Sequence, residues 1–460
     1  MKTVTTLLFL AAVAKASPVA KTSSLVPRTD WAFDDKDRLC GEWDLTTPEG
    51  VDELWHLSGA ETDLELFIKV TNKVEGEESW VQKLETWVMQ GTDGKSGAPG
   101  CSLIGTECNP MRGISCKEQF DKYGETLLIG RSSYWMFQAV KGVHAKFAEL
   151  HRQLTTETLI NGLKIDKMIE DFSGDGYTPG NVKPWLSAAA TMGNALGGTI
   201  PGSGSVVSAG MGLFAGIMSG LSVSDGDEDP SATIKDRLAD LFKDASRKLE
   251  DTLRIVTGGG SEDEYNALPA PKDDHYESKI SKFFNGGWFL LDDNTKTVTE
   301  TLNSITSNIQ KKVANDVMKS AKLHLVADKL TGASDSREAC GYNTGRQWLS
   351  LRDGEEYCFY IMLNNPDPNR EGEWTEVGSD IYEKMADFGL GDREPYYNAL
   401  IDCALNGDPD KLEVNTLDYG KSPTCFFNMP VVFVEKDDSV GCGDLFSKSD
   451  CDYRKGTPVS

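Results

Sequence analysis

The sequence predicts a mainly α-helical protein: a helical bundle that contains a central small-residue hydrophobic hairpin, followed by a disulfide-rich α+β C-terminal unit. Three observations lead to this fold class. Long apolar stripes with helical spacing fill the middle of the chain, and an uncharged stretch at residues 184–224 interrupts them. All ten cysteines lie outside this middle region, four before residue 117 and six after residue 339. The 460 residues are enough for two or three domains with their own cores.

The N-terminus has the pattern of a signal peptide. Lys2 precedes an uncharged run over residues 3–14, and Ala14-Lys15-Ala16 offers small residues where signal peptidase cuts, so residues 1–16 are expected to be removed. The run of about a dozen residues is shorter than the roughly 20 that a membrane-spanning helix needs. Residues 17–34 are polar and aperiodic, which predicts a disordered leader or a short pro-segment trimmed after Arg28. The expected location is therefore secreted and extracellular.

The cysteine pattern agrees with export. An even number of cysteines in an exported chain predicts that all are paired in disulfides. Each end also has an even number, so either each end is closed internally or the two ends are joined around the cysteine-free middle. No CxxC or His/Cys spacing typical of zinc is present, so no metal and no cofactor are expected. The predicted disulfide residues are Cys40, Cys101, Cys108, Cys116, Cys340, Cys358, Cys403, Cys425, Cys442 and Cys451.

Residues 35–116 are predicted to be a helical, cysteine-containing N-terminal region. Thr47 is expected to be an N-cap and Pro48 the first residue of a helix. The apolar residues after Pro48 lie on one face of this helix. A second helix is expected at about residues 61–71. A third is expected where Trp80, Val81, Leu84, Trp87 and Val88 form an apolar face, before the glycine-rich residues 91–100.

Residues 117–332 carry three long apolar stripes and are predicted to form the bundle, because such stripes bury themselves against one another. The first lies within residues 136–154. The second begins at Ser231 and ends at the glycines of residues 258–260, and the third runs from residue 298 to about residue 332.

Residues 333–460 change in character and are predicted to be the disulfide-rich α+β unit. Aromatic and branched residues at 357–363 and 426–434 indicate strands. Residues 380–388 and 394–405 are predicted to be helices.

The uncharged stretch is the most unusual feature of the sequence. A glycine-rich turn at residues 198–204 divides it into two arms, each with a small residue at every fourth position. Such spacing, a glycine zipper, lets another helix approach closely, as it does in membranes. Glycine destabilises an exposed helix by up to about 1 kcal/mol per residue, so packing must compensate. The small-residue positions are Gly193, Gly197, Gly204, Ser208, Gly212, Gly216 and Gly220, with Ala189 one turn earlier.

Two interpretations of this hairpin remain open. It is either a tightly packed core of the bundle or an element that leaves the bundle and enters a bilayer. A helix over residues 205–222 would be about 27 Å long, close to the roughly 30 Å of a hydrocarbon core. Its serines and glycines make solitary insertion marginal, so the membrane interpretation implies a homo-oligomer on the membrane.

An apolar hairpin flanked by long amphipathic helices resembles the layout of helical pore-forming toxins of the cytolysin A and haemolysin B type. The resemblance covers roughly residues 117–332 and concerns architecture, without a shared motif. The whole chain also resembles the uncharacterised secreted proteins of filamentous fungi, with its Ala16-Ser17-Pro18 signal junction and cysteine-containing ends. That resemblance implies an effector-like role in virulence, since the class includes effectors that act on host tissue.

Other chemistry finds less support in the sequence. The net charge of −25 repels phosphate backbones, which argues against nucleic acid as a partner. No GxSxG, HExxH, Walker or dinucleotide pattern occurs, so no catalytic residue is assigned and an enzyme is not expected. His144 and His151 lie seven residues apart beside one apolar stripe, and their protonation near pH 6 is predicted to loosen the bundle if both are buried.

These observations lead to two hypotheses about function. The first is a secreted effector or toxin-like protein that acts on target membranes through the hairpin. The alternative is a secreted, non-enzymatic interaction protein that binds a host surface protein and whose hairpin is only a buried core.

Overall fold

The computed structural model describes most of the chain from residue 34 onward. The described residues are 34–71, 79–90, 96–125, 128–155, 157–172, 182–192, 214–219, 221, 233–259, 261–268, 277–292, 296–330, 333–350, 354–364, 374–412, 414, 421–437 and 451–454.

Within these ranges the fold is mainly helical and contains a small sheet. The first part of the chain holds α1 (Lys36–Leu39), α2 (Pro48–Leu57), α3 (Ala60–Thr71), α4 (Trp80–Val88) and α5 (Cys116–Tyr123). The middle holds α6 (Ile129–Leu154), α7 (Glu157–Gly162), α8 (Ile165–Phe172), α9 (Trp185–Met192), α10 (214–219), α11 (Ile234–Val256), α12 (Glu262–Asn266), α13 (Lys279–Phe284) and α14 (Lys296–Ser320). The last helices are α15 (Ser336–Cys340), α16 (Asp380–Asp387) and α17 (Arg393–Asn406).

Side-chain caps explain several of the helix starts. The Thr47 hydroxyl accepts a hydrogen bond from the Gly50 N–H, as the Thr47-Pro48 pair predicted for α2. Helix α11 begins at Ile234 and not at Ser231 as predicted, because Thr233 is its N-cap. The Thr233 hydroxyl accepts from the Asp236 N–H at 3.2 Å, and the Asp236 carboxylate accepts from the Thr233 N–H at 3.0 Å.

The sheet has six strands: β1 (Leu323–Asp328), β2 (Gln347–Ser350), β3 (Glu356–Asn364), β4 (Trp374–Glu376), β5 (Val431–Asp437) and β6 (Cys451–Arg454). Their order is β2-β3-β1-β5-β6, and β4 extends β3 on one side. Strand β1 lies at the centre, antiparallel to β3 with Val326 opposite Tyr360, and parallel to β5 with Val326 opposite Val432.

The predicted end of the third long helix, near residue 332, is wrong. Helix α14 ends at Ser320, and the apolar residues after it form a strand. All six residues of β1 are buried, because Leu325 and Ala327 face the main core while Val326 faces a second, smaller core. A strand that is buried on both faces lacks the alternation that would distinguish it from a buried helix in the sequence.

The C-terminal predictions were more accurate. Strand β3 and helices α16 and α17 confirm three of the four elements expected there. Strand β5 begins at Val431, however, and not at Phe426. Phe426 and Phe427 instead form a turn just after the disulfide-bonded Cys425, and their rings pack edge to face with centroids 4.9 Å apart.

One main hydrophobic core contains residues from all three regions predicted from the sequence, from Leu39 through the long helices to Phe433. Helix α14 occupies a central place, because it packs against α6, α8, α9 and β1. Helix α6 packs against α3, α5 and α11, and Gly142 lets it approach the backbone of Phe289 more closely than any side chain would allow.

Candidate functional site

The described part of the uncharged stretch consists mainly of α9 and α10. Every residue of α9 is buried, including Ala189. In α10 the apolar residues Phe214, Ile217 and Met218 are buried, whereas Gly216 is partly exposed. The apolar residues of α10 are therefore more deeply buried than Gly216, its predicted small-residue position. Of the other predicted positions, Gly193, Gly197, Gly204, Ser208, Gly212 and Gly220 lie outside the described residues.

The two arms contact each other through polar as well as apolar groups. The Ser187 hydroxyl of α9 donates a hydrogen bond to the Ala215 carbonyl of α10 at 2.9 Å. The Thr191 hydroxyl donates to the Ser187 carbonyl of its own helix at 2.9 Å. Both hydroxyls are thus satisfied inside the protein, as buried hydroxyls must be to avoid a desolvation cost.

Helix α14 also contacts the first arm. The Asn308 side chain donates to the Ala189 carbonyl at 3.0 Å. One turn further along, the Lys312 ammonium lies 5.5 Å from the centroid of the Trp185 ring, within cation–π range. Polar groups of α14 therefore contact α9 at its first residue, Trp185, and at its middle, Ala189.

We call Asn308, Lys312, Asn315 and Asp316 the α14 seam. Lys312 donates to the Asp316 carboxylate at 2.6 Å, and the two side chains are only 5% and 15% exposed. The Asn315 amide also donates to Asp316, at 2.8 Å. Buried charges are tolerated only when they are paired and hydrogen-bonded, and this pair meets that condition.

The seam also contacts the C-terminal part of the chain. The Asn315 side-chain oxygen accepts from the Tyr396 hydroxyl at 3.0 Å and from the Met429 N–H at 3.2 Å. Burial raises the pKa of Tyr396 well above its ordinary value, so the hydroxyl keeps its proton and acts as the donor. The Asn428 side-chain oxygen accepts from Asn315 at 3.1 Å and from Lys312 at 3.5 Å.

The side chains of the α14 seam therefore connect separate parts of the chain to one another. Its ammonium and carboxylate groups neutralise each other, and its amides join three parts of the chain. Within the described ranges, no group of three or more His, Cys, Asp or Glu side chains has the geometry to hold a metal ion.

The two histidines of the predicted pH switch lie on α6 in different settings. His144 is buried, and its Nε2 lies 3.1 Å from the Leu103 carbonyl oxygen. His151 is partly exposed, and its Nε2 lies 3.0 Å from the Glu250 carboxylate of α11. Only His144 of the two is buried, and the loosening of the helices by acid stays a prediction.

Four disulfides connect eight of the ten cysteines: Cys40–Cys116, Cys101–Cys108, Cys340–Cys358 and Cys403–Cys425. Each joins two cysteines of the same end of the chain, so for these four bonds the internal alternative is correct. Cys442 and the side chain of Cys451 lie outside the described part of the chain.

Sequence reasoning missed a second polar cluster, on the outer face of the sheet, which is the face that lines the smaller core. The Tyr360 hydroxyl donates to the buried Asp328 carboxylate at 2.9 Å, and the Arg346 guanidinium lies 4.2 Å from the Tyr360 ring centroid. Arg346 also binds Glu376 with two hydrogen bonds of 2.8 and 2.6 Å. These four residues lie far apart in the sequence, and no local pattern connects them.

A third feature is an exposed apolar surface on the first helices. Leu66 and Val70 are one turn apart on α3 and are 57% and 62% exposed, and Trp87 on α4 is 42% exposed. The Trp87 ring packs against Phe67 with centroids 5.3 Å apart. Trp87 thus differs from the other apolar residues of α4, which are buried. We call Leu66, Val70 and Trp87 the α3–α4 patch.

Among the helices that the structure describes, none combines the length and the apolar character needed to cross a bilayer. No model of a known protein family, no curated protein and no solved structure matches this chain.

Proposed function

We propose that this chain is a secreted, effector-like interaction protein that binds a partner protein through the α3–α4 patch. The central hairpin is then the inner core of a helical bundle and has no direct contact with the partner.

The observation that carries the proposal is the exposure of three large apolar side chains on α3 and α4, which touch each other through the rings of Phe67 and Trp87. Single exposed apolar residues are common, but grouped ones mark binding surfaces. Tryptophan is among the residues that contribute most to protein interfaces, and contact with Phe67 holds the Trp87 ring in place before any partner binds. The patch therefore has an aromatic anchor and two aliphatic neighbours, Leu66 and Val70.

Further observations support the secreted part of the proposal. The signal-like residues 1–16 and the four disulfides are typical of exported proteins. The strongly acidic composition favours solubility outside the cell and suits a protein target more than an anionic membrane or a nucleic acid. The resemblance to secreted fungal proteins supports an effector-like role.

The contacts of the hairpin support its assignment to the core. All of α9 is buried, Ser187 links it to α10, and Asn308 and Lys312 link it to α14. An arm that had to enter a bilayer would first have to break these hydrogen bonds and expose the buried Lys312–Asp316 pair.

The membrane-acting toxin-like function is the second candidate, and the uncharged residues 184–224 favour it. In that mechanism the hairpin would leave its place beside α14 and assemble with copies of itself in lipid, because solitary insertion is marginal. Its distinguishing property is permeabilisation of lipid vesicles, which a hairpin that stays in the core does not cause.

The binding function can be tested with a double variant, Leu66→Gln with Val70→Gln, and the control Leu103→Gln. Leu103 is exposed to a similar degree but lies outside the patch, and glutamine is a good helix former. Immobilised wild-type protein should retain a defined protein from target-tissue extracellular fluid, and the control should retain it equally. The double variant should retain it about tenfold less, because the contacts of both aliphatic neighbours of the Trp87 anchor are lost.

Equal thermal stability of the three proteins would show that the double variant is folded. Equal retention by the wild type and the double variant, or retention of no protein by any of them, would contradict the proposal.

A further inference from the structure

The position of α9 is connected to the C-terminal part of the chain through one side chain. Lys312 lies 5.5 Å from the Trp185 ring on the hairpin side and 6.0 Å from the Phe426 ring on the C-terminal side. Its ammonium also donates to Asn428 at 3.5 Å and to Asp316 at 2.6 Å. A change in the position of Lys312 therefore affects contacts to both parts of the protein.

Asn428 is the C-terminal group that fixes this arrangement. Its side-chain oxygen accepts from both Asn315 and Lys312, while its own amide donates to the Pro409 carbonyl at 2.8 Å. The segment that carries it, residues 425–429, begins at the disulfide Cys403–Cys425, which attaches it to α17. The backbone of Met429 adds a second connection by donating to Asn315.

These contacts form a continuous route from the disulfide to the hairpin. If residues 425–429 move away, Asn315 and Lys312 lose acceptors in a buried setting, and the ammonium must shift to find new ones. Such a shift removes the cation from the Trp185 ring and disturbs the helix that binds the Ala189 carbonyl through Asn308. The disulfide and the hairpin are coupled because leaving buried donors unpaired costs free energy.

We infer that the α14 seam is a conformational latch, in which residues 425–429 hold α9 in the core through Lys312. The latch is closed while the Cys403–Cys425 disulfide and the Asn428 contacts are in place. Displacement of residues 425–429 opens it and lets α9 unfold locally without unfolding the long helices. This inference goes beyond the proposed binding function and does not depend on it.

Hydrogen exchange resolved to individual amides tests the latch. Asn428→Ala should raise the exchange rate of the amides of α9 about tenfold, because the seam loses its C-terminal acceptor, while the amides of α11 keep their wild-type rates. The double variant Cys403→Ala with Cys425→Ala should change the same amides in the same direction. Tyr360→Phe is the matched control, because it removes a buried hydroxyl contact in the same part of the chain but on the outer face of the sheet.

Lys312→Met should break the coupling, so that adding Asn428→Ala to it changes α9 no further. Unchanged exchange of α9 in Asn428→Ala would overturn the inference. Equal acceleration in α9 and α11 would overturn it too, because it would mean global destabilisation. The same α9 response in Tyr360→Phe would show that the effect does not pass through the seam, and would also overturn it.

Discussion

Helices α11 and α14 bury similar apolar stripes but place their polar residues in opposite ways. On α11 the charged residues point outward, as in the pair Arg247–Asp244, whose side chains are 60% and 46% exposed. On α14 the pair Lys312–Asp316 is nearly enclosed, and burial lowers the pKa of the neighbouring Lys311 and Lys319. The reason is that α11 has one face in contact with other elements, whereas α14 is surrounded by α6, α8, α9 and β1.

This difference indicates where substitutions should matter. An exposed ion pair contributes little to the free energy of unfolding, since water and salt screen it. A buried pair is costly to break, because the remaining partner is left as an uncompensated charge, although replacing both partners by apolar groups is often neutral. We therefore expect the polar residues of α14, and not those of α11, to determine which arrangement the hairpin adopts.

The largest expected effect is that of Asp316→Ala. It should lower the free energy of unfolding by about 3 kcal/mol, because Lys312 and Asn315 both lose an acceptor in a buried site. Asp244→Ala, the matched change on α11, should lower it by less than about 0.5 kcal/mol. Urea unfolding followed by circular dichroism measures both values.

The double variant Lys312→Met with Asp316→Leu sharpens this comparison. It removes both charges, so its stability should lie within about 1 kcal/mol of the wild type, well above that of Asp316→Ala alone. Similar losses for Asp316→Ala and Asp244→Ala would show that burial of the α14 pair has no energetic consequence, and the contrast between the helices would fail.

A smaller effect is expected at the C-terminal end of α11 when the pH falls. The Arg254 guanidinium, which donates to Glu264 at 2.7 Å, and the Ser261 N–H lower the pKa of Glu264 from its ordinary 4.5 to about 2. Because the folded pKa is the lower one, the stabilisation is complete above about pH 4.5 and is lost as the pH falls towards 2. Glu264→Gln should therefore flatten the decline of Tm over this range, by only about 1–2 °C because the pair is exposed.

Calorimetric scans of the wild type and Glu264→Gln between about pH 5 and pH 2.5 measure this effect. Glu250→Gln is a useful control, since it removes a different carboxylate, the partner of His151, from α11, the helix that carries Arg254. Identical pH profiles for the wild type and Glu264→Gln would mean that the ion pair with Arg254 does not form in solution.

The sequence predicted what local periodicity can encode. The apolar stripes of α6, α11 and α14 were visible, as was the cap at Thr47, because these patterns depend on residues three or four positions apart. Strand β1 was missed because its two buried faces remove the alternation of a strand. Its place at the centre of the sheet depends on β3 and β5, which follow it in the chain.

The α14 seam and the α3–α4 patch were even less predictable from local periodicity. In the sequence, Lys312 and Asp316 look like ordinary polar residues beside the stripe of Ile309, Val313 and Val317. Their burial arises from α9 and residues 426–428, which the chain brings to α14 from far away. Trp87 illustrates the reverse case, since it follows Leu84 by one turn in an apolar helix and yet is 42% exposed. What a helix face contacts is a tertiary property that periodicity does not contain.

Release of a dye enclosed in lipid vesicles tests most directly whether α9 stays in the core, which is the central claim of this account. The wild-type protein should release no dye from neutral or anionic vesicles at any pH from about 4.5 to 7.5, because release requires α9 to break its hydrogen bonds to α10 and α14, and these join groups that do not titrate. A detergent control confirms that the vesicles are loaded. Dye release that rises steeply with protein concentration would contradict the account, because it is the result expected of a hairpin that leaves the core and assembles in lipid.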